Sequence, residues 1–97
     1  GLYEHYGRKM RVLMDELRDR GLVDFNEPKC GFFLLLDSHK GSRRVFEEAV
    51  KRGVSVVDAK PFFLRGGDTM LRLSVAVENE ERIKEGVRRL KEAVESA

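Results

Sequence analysis

Hydrophobic positions recur along this chain with two distinct periods, and the switches between them mark its elements. Between Leu2 and Arg20, the residues Tyr3, Tyr6, Met10, Leu13, Met14 and Leu17 fall three and four apart. That spacing lines one face of an amphipathic helix, and Gly21 is a natural C-terminal stop. Leu22–Phe25 is a short strand candidate, and Asn26-Glu27-Pro28-Lys29 is turn chemistry. Gly31–Asp37, the most apolar stretch, predicts a second strand that closes a hairpin with a long loop. Phe32, Leu34 and Leu36 share one side of it, and Phe33 and Leu35 the other. Both sides are apolar, so the strand calls for cover on both faces or a partner surface on one.

Past the Ser38-His39-Lys40-Gly41 loop, Ser42 is a candidate cap for a helix running to Arg52, with Val45, Phe46, Ala49 and Val50 facing inward. Gly53 ends it, and Val54–Val57 forms the next strand after this helical crossover. Asp58–Leu64 leaves the sheet, and Arg65-Gly66-Gly67-Asp68 turns tightly into a strand over Thr69–Ala76. There Leu71, Leu73 and Val75 point one way, and Met70, Arg72, Ser74 and Ala76 the other. Asn79 caps a last helix whose stripe is Ile83, Val87, Leu90 and Val94, supported by Glu80–Lys84 and Glu85–Arg89 pairs. The order α-β-β-α-β-β-α predicts an α+β fold over residues 1–97 as a single domain. Its architecture is a two-layer sandwich, with helices packed on one face of a small mixed β-sheet. The other face would carry Phe33 or Phe32 beside Arg72. That is apolar enough to imply that another domain or subunit packs there.

Composition narrows the partners. The 97 residues are 41% hydrophobic and 37% charged, the balance of a globular chain with a dense ionic surface in a thermophile-like style. The formal net charge is only +2, with acids and bases interleaved, so no nucleic-acid-binding stripe is expected. One cysteine, Cys30, excludes an internal disulfide and fits a reducing, cytoplasmic setting. The longest apolar run, Phe32–Leu36, is far too short to span a membrane, and no secretory leader is visible.

Candidate chemistry is sparse. His5, His39 and Cys30 lack metal-ligand spacing, and Ser38 has no partner that would make it a nucleophile. Gly66-Gly67 leads into a strand, so it is no phosphate loop. Arg43-Arg44 and Lys51-Arg52 sit beside Glu47 and Glu48, as on a solvated helix face. Arg72 remains, in mid-strand on a face of small or apolar side chains. Either it lies on the solvent side of a one-sided sheet, or a rigid strand presents its donor fork to a carboxylate.

Four stretches resemble, in order, the small domain of one enzyme family. Cys30–Asp37 looks like the Gly-Gly-Phe-Phe-x-Trp strand of fold-type I, pyridoxal-phosphate-dependent aminotransferases. Gly53–Val57 with Pro61-Phe62-Phe63 resembles their Gly-Val-x-Val-x-Pro-Gly-x-x-Phe segment. Gly66–Ser74 resembles Gly-Gly-x-x-Thr-x-Arg-Leu-Ser, and Glu85–Leu90 their final helix. The similarity is best to the 2-aminoadipate and kynurenine aminotransferase branch. Cys30 replaces the first glycine, Leu35 stands in for the tryptophan, and Asp58-Ala59 replaces Pro-Gly.

The resemblance implies a C-terminal small domain whose Arg72 binds the α-carboxylate of amino-acid and 2-oxo-acid substrates. It also implies a missing large domain that supplies the cofactor lysine, and a homodimeric full-length enzyme. The 97 residues alone would then be inactive and hold no pyridoxal phosphate. The alternative is a free-standing ligand-sensing or protein-contact module that dimerises through its apolar sheet face.

Overall fold

The computed structural model describes residues 2–28, 33–54, 57–58, 67–75 and 79–97, with residues 2–6 and 57–58 as backbone alone. Its elements are α1 (Leu2–Asp19), β1 (Phe33–Asp37), α2 (Ser42–Lys51), β2 (Val57–Asp58), β3 (Met70–Ser74) and α3 (Glu80–Ser96), with a 3-10 turn over Gly67–Thr69. The sheet order is β1-β3-β2. Leu34 pairs with Leu73, Leu36 with Leu71, and Val57 with Arg72.

Both pairings are antiparallel, where a mixed sheet was expected. The crossover through α2 does return the chain to a strand running the same way as β1. The later β3 then enters between the two, so each pairs only with it.

The core is one cluster, built from the stripes that the periodicity predicts. Met10, Leu13 and Leu17 of α1, Val45 and Ala49 of α2, and Ile83, Val87, Leu90 and Val94 of α3 are all buried. They pack on Leu34, Leu36, Leu71 and Leu73, which share one side of the sheet by strand alternation. All three helices therefore cover that one face.

Two expectations for α2 change. Its cap is Gly41, whose carbonyl accepts from Val45 N–H at 3.0 Å, and Ser42 is the first helical residue, with its side chain buried. Val50 is exposed. It lies on the same flank as Phe46, whose longer ring reaches the core where a short isopropyl group does not. In α3, by contrast, Asn79 caps as expected, its side chain accepting from Arg82 N–H at 2.9 Å.

The segment after α1 is not a strand. Gly21 N–H donates to Arg18 O at 3.1 Å, and Leu22 N–H reaches back to Leu17 O at 2.8 Å. This is a Schellman closure, with buried Leu22 against buried Leu17, and it draws Leu22 down onto the helix. Only Phe25 then bridges β1, at Leu36. Asn26 finishes that edge, its side-chain oxygen accepting from Leu35 N–H at 2.8 Å.

Helix α2 ends the same way. Gly53 N–H donates to Val50 O at 3.0 Å, and Val54 N–H to Ala49 O at 2.8 Å. Both closing glycines are left-handed, Gly21 at φ 78 and Gly53 at φ 79. Around Gly53 the charged residues lock α2 to α3. Arg89 Nη1 donates to Arg52 O at 3.1 Å, and Arg52 itself reaches Glu48 and Ser96. Glu85 binds both Arg88 and Arg89. The Arg88 hydrogen bond leads in pulling its carboxyl down to about 2, against burial and with Arg89 adding to the effect.

Replacement of either glycine by alanine is expected to cost about 1–2 kcal/mol, the penalty for a Cβ in the left-handed region. Gly53→Ala is the costlier, because its Cβ would meet Arg89 Nη1 at 3.0 Å, whereas one at Gly21 meets only Lys91 Nζ at 3.9 Å. Urea midpoints of the two variants check both the size and the order.

Candidate functional site

The sheet face away from the helices is built by the alternate residues of β1 and β3. Burying Leu71 and Leu73 on the helix side turns Met70, Arg72 and Ser74 to the other. Leu34 and Leu36 do the same for Phe33 and Leu35. Among the described residues this face is therefore apolar around the Arg72 guanidinium. Leu35 stands directly across from Arg72 in the register, and Phe33 stands diagonal to it. Arg72 and Leu35 are half-buried, while Phe33 is 46% exposed. The Arg72 guanidinium carbon lies over the Phe33 ring, 5.4 Å from its centre.

Arg72 is thus at the middle of the central strand, with paired backbone on both sides. Such a mount fixes the root of the side chain. A planar cation there can take a carboxylate by two parallel hydrogen bonds. Of the two ring faces weighed for this site, Phe33 supplies the one described. Phe32, Cys30, Lys60, the Pro61-Phe62-Phe63 motif, Gly66 and Ala76 lie outside the described residues.

One end of β1 gathers groups that sequence spacing did not connect. His39 Nε2 is 2.7 Å from Asp24 Oδ2 and its Nδ1 is 3.7 Å from Asp37 Oδ1. His39 N–H also donates to Asp37 Oδ1 at 2.9 Å, with the histidine left-handed at φ 61. A search for histidine and cysteine spacing could not find this triple. Asp24 arrives only because Asp37 N–H binds its carbonyl at 2.8 Å. The cluster is largely exposed and its bonds are internal, so it works as a clasp between the post-α1 segment and the end of β1. Ser38 belongs to the same clasp. Its buried hydroxyl lies 3.1 Å from Thr69 O and 3.2 Å from Lys40 O, occupied as a donor and not poised as a nucleophile.

A groove of about 380 Å³ opens on the helix side, floored by Leu13, Leu73 and Val87 and rimmed by Arg82, Glu85 and Arg89. Glu85 and Arg89 bind each other there at 3.0 Å. The strongly depressed Glu85 carboxyl stays ionised at neutral pH and is no proton donor. Arg72 does not line this groove.

An α+β layer of three helices on an antiparallel sheet matches the small domain of aminotransferases. The comparisons with known proteins agree. The chain is 40% identical over 95 residues to the 2-aminoadipate transaminase of Thermus thermophilus, covering 92% of this chain and 24% of the relative.

The crystal structure of the α-aminoadipate aminotransferase LysN from that organism, complexed with N-(5'-phosphopyridoxyl)-L-leucine, superposes with a TM-score of 0.85 at 32% identity. That match covers 96% of this chain and 25% of LysN. The multiple substrate aminotransferase of Thermococcus profundus gives a TM-score of 0.84 at 28% identity, over 96% and 24% of the two chains. The kynurenine aminotransferase of Pyrococcus horikoshii, at 24% identity and a TM-score of 0.85, shares the fold. No family model matches the sequence. The chain spans about a quarter of the length of these relatives. Sequence and fold together match the C-terminal small domain of pyridoxal-phosphate-dependent aminotransferases.

The clasp carries a pH signature. Burial works to raise the Asp37 carboxyl, but the Thr69 hydroxyl, the His39 N–H and the His39 charge outweigh it, so it lies below its ordinary 3.8. A depressed folded value means that the ionised form supports the fold above that pH and the support fades as pH falls through the folded value. Asp37→Asn is expected to flatten the acid limb of stability. Below pH 3.8 the urea midpoint of the unaltered chain should fall more steeply than that of the variant.

Proposed function

We propose that these residues are the C-terminal domain of a pyridoxal-phosphate-dependent aminotransferase, in which Arg72 binds the α-carboxylate of the amino-acid and 2-oxo-acid substrates. The observation that carries this is the placement of Arg72. It is a half-buried guanidinium on the central strand, in the open apolar face of a sheet whose other face is filled. Paired strands on both sides hold its backbone, so a bound carboxylate would be fixed in orientation as well as charge. The relatives support the substrate class: one is a 2-aminoadipate transaminase, and another holds a phosphopyridoxyl-leucine adduct.

The described residues do not make a cofactor site by themselves. Pyridoxal phosphate needs a lysine to hold it, and as an electron sink it supplies the carbanion chemistry of transamination. Lys40 Nζ is bound to Ala97 O at 3.2 Å, and Lys51 pairs with Glu48 on α2. Lys9, Lys84 and Lys91 stand on α1 and α3, across the sheet from Arg72. In this reading the cofactor lysine and its pocket belong to a large domain outside this sequence, as the resemblance implies, and the 97 residues alone are inactive.

In this reading the open face meets that domain, and the full-length enzyme works as a cytoplasmic homodimer with no nucleic-acid partner. Among the described residues no helix is long and apolar enough to cross a membrane.

The test is substitution of Arg72 in the full-length protein. Arg72→Ala removes two charge-assisted hydrogen bonds and is expected to lower kcat/KM for amino acids about 10²-fold or more. Arg72→Lys keeps the charge without the fork, and should lie between the alanine variant and the wild type. The melting temperature of each variant separates loss of carboxylate binding from loss of fold. Unchanged kcat/KM in Arg72→Ala would overturn the proposal. A second assay titrates the 97-residue chain with pyridoxal phosphate, where a saturable one-to-one Schiff-base band would contradict the assignment of the lysine to another domain.

A further inference from the structure

We infer that Phe33 is a positioning residue for Arg72, setting the attitude of the guanidinium toward a substrate carboxylate. This rests on the carboxylate-binding reading of Arg72. An arginine side chain has several rotatable bonds beyond the backbone, so a rigid strand alone does not fix where its donors point. In this fold the guanidinium carbon is held over the Phe33 ring, 5.4 Å from the centroid. The two residues are diagonal neighbours across β1 and β3, since Phe33 pairs with Ser74 and Arg72 with Leu35. That spacing is within reach of an aromatic ring and a long side chain on one sheet face.

The chemistry of the contact suits the role. A cation over an aromatic face is attracted by the ring quadrupole, and it gives up its own flat face to do so. The N–H donors of a guanidinium lie in its plane, so the ring contact does not itself occupy them. A carboxylate in place of Phe33 would instead consume those donors. Phe33 remains 46% exposed, so its ring is not committed to the core. The ring holds the fork without competing for it.

The experiment uses the full-length, cofactor-loaded protein with Phe33→Leu, Phe33→Trp and Arg72→Ala. Two quantities are read: the KM and kcat for leucine, and the equilibrium Kd of isocaproate, which is leucine without its amino group and cannot react. Phe33→Leu keeps an apolar side chain and loses the quadrupole. It is expected to raise KM and the isocaproate Kd about 2- to 5-fold with kcat and melting temperature unchanged. Phe33→Trp, with the stronger quadrupole, should restore both values.

If Arg72→Ala weakens isocaproate binding and Phe33→Leu does not, the positioning role is overturned while the carboxylate reading stands. If Arg72→Ala leaves binding intact, the carboxylate reading itself fails. A Phe33→Leu variant that loses kcat and melting temperature together, without rescue by tryptophan, would make Phe33 a structural residue only and overturn the inference.

Discussion

Strand alternation in β3 is the constraint on which the rest depends. Leu71 and Leu73 are buried against all three helices, and β1 contributes Leu34 and Leu36 to the same layer. Because successive side chains point to opposite faces, filling that layer leaves Arg72 no position except the opposite side. A one-residue slip would drive the guanidinium into an apolar core and turn two leucines to the outside, a change costing several kcal/mol on either count. Core packing therefore places the candidate site, although no core residue belongs to it.

End closures and charges add to the hydrophobic core that holds the helical layer. Two left-handed glycines return the chain at nearly the same angle after α1 and α2, each with an apolar pair sealing the turn. At the second, Arg89 caps Arg52 O, and Arg52 ties Glu48 of α2 to Ser96 of α3. Exposed ion pairs contribute little individually. The Arg89 bond instead acts on a backbone carbonyl at a helix end, where an unmet acceptor is costly.

Much of this was legible because periodicity is a property of neighbours in sequence. The Met10, Leu13 and Leu17 part of the α1 stripe, the α3 stripe, the Asn79 cap, both stopping glycines and the alternation of Leu71, Arg72 and Leu73 follow from spacing and residue type. The misreadings have local causes. Leu22–Phe25 has the composition of a strand, but the Schellman closure takes Leu22 for the helix end. Val50 matches the helical period, but a short side chain on the flank does not reach the core. Ser42 has the chemistry of a cap, but the first helical hydrogen bond is accepted one residue earlier, by Gly41.

The sequence by itself determined which residues could serve a site: one arginine in mid-strand, among motifs shared with aminotransferases. Residue type and spacing are local, and they suffice for that. Tertiary structure alone decided what surrounds it. Phe33 came to lie under the guanidinium because β3 pairs with β1 in a register that sets the two residues on a diagonal. Asp24 met His39 because antiparallel pairing at the sheet edge brought its backbone to Asp37. Register and strand order join positions far apart in the chain, and no pattern of neighbours encodes them directly.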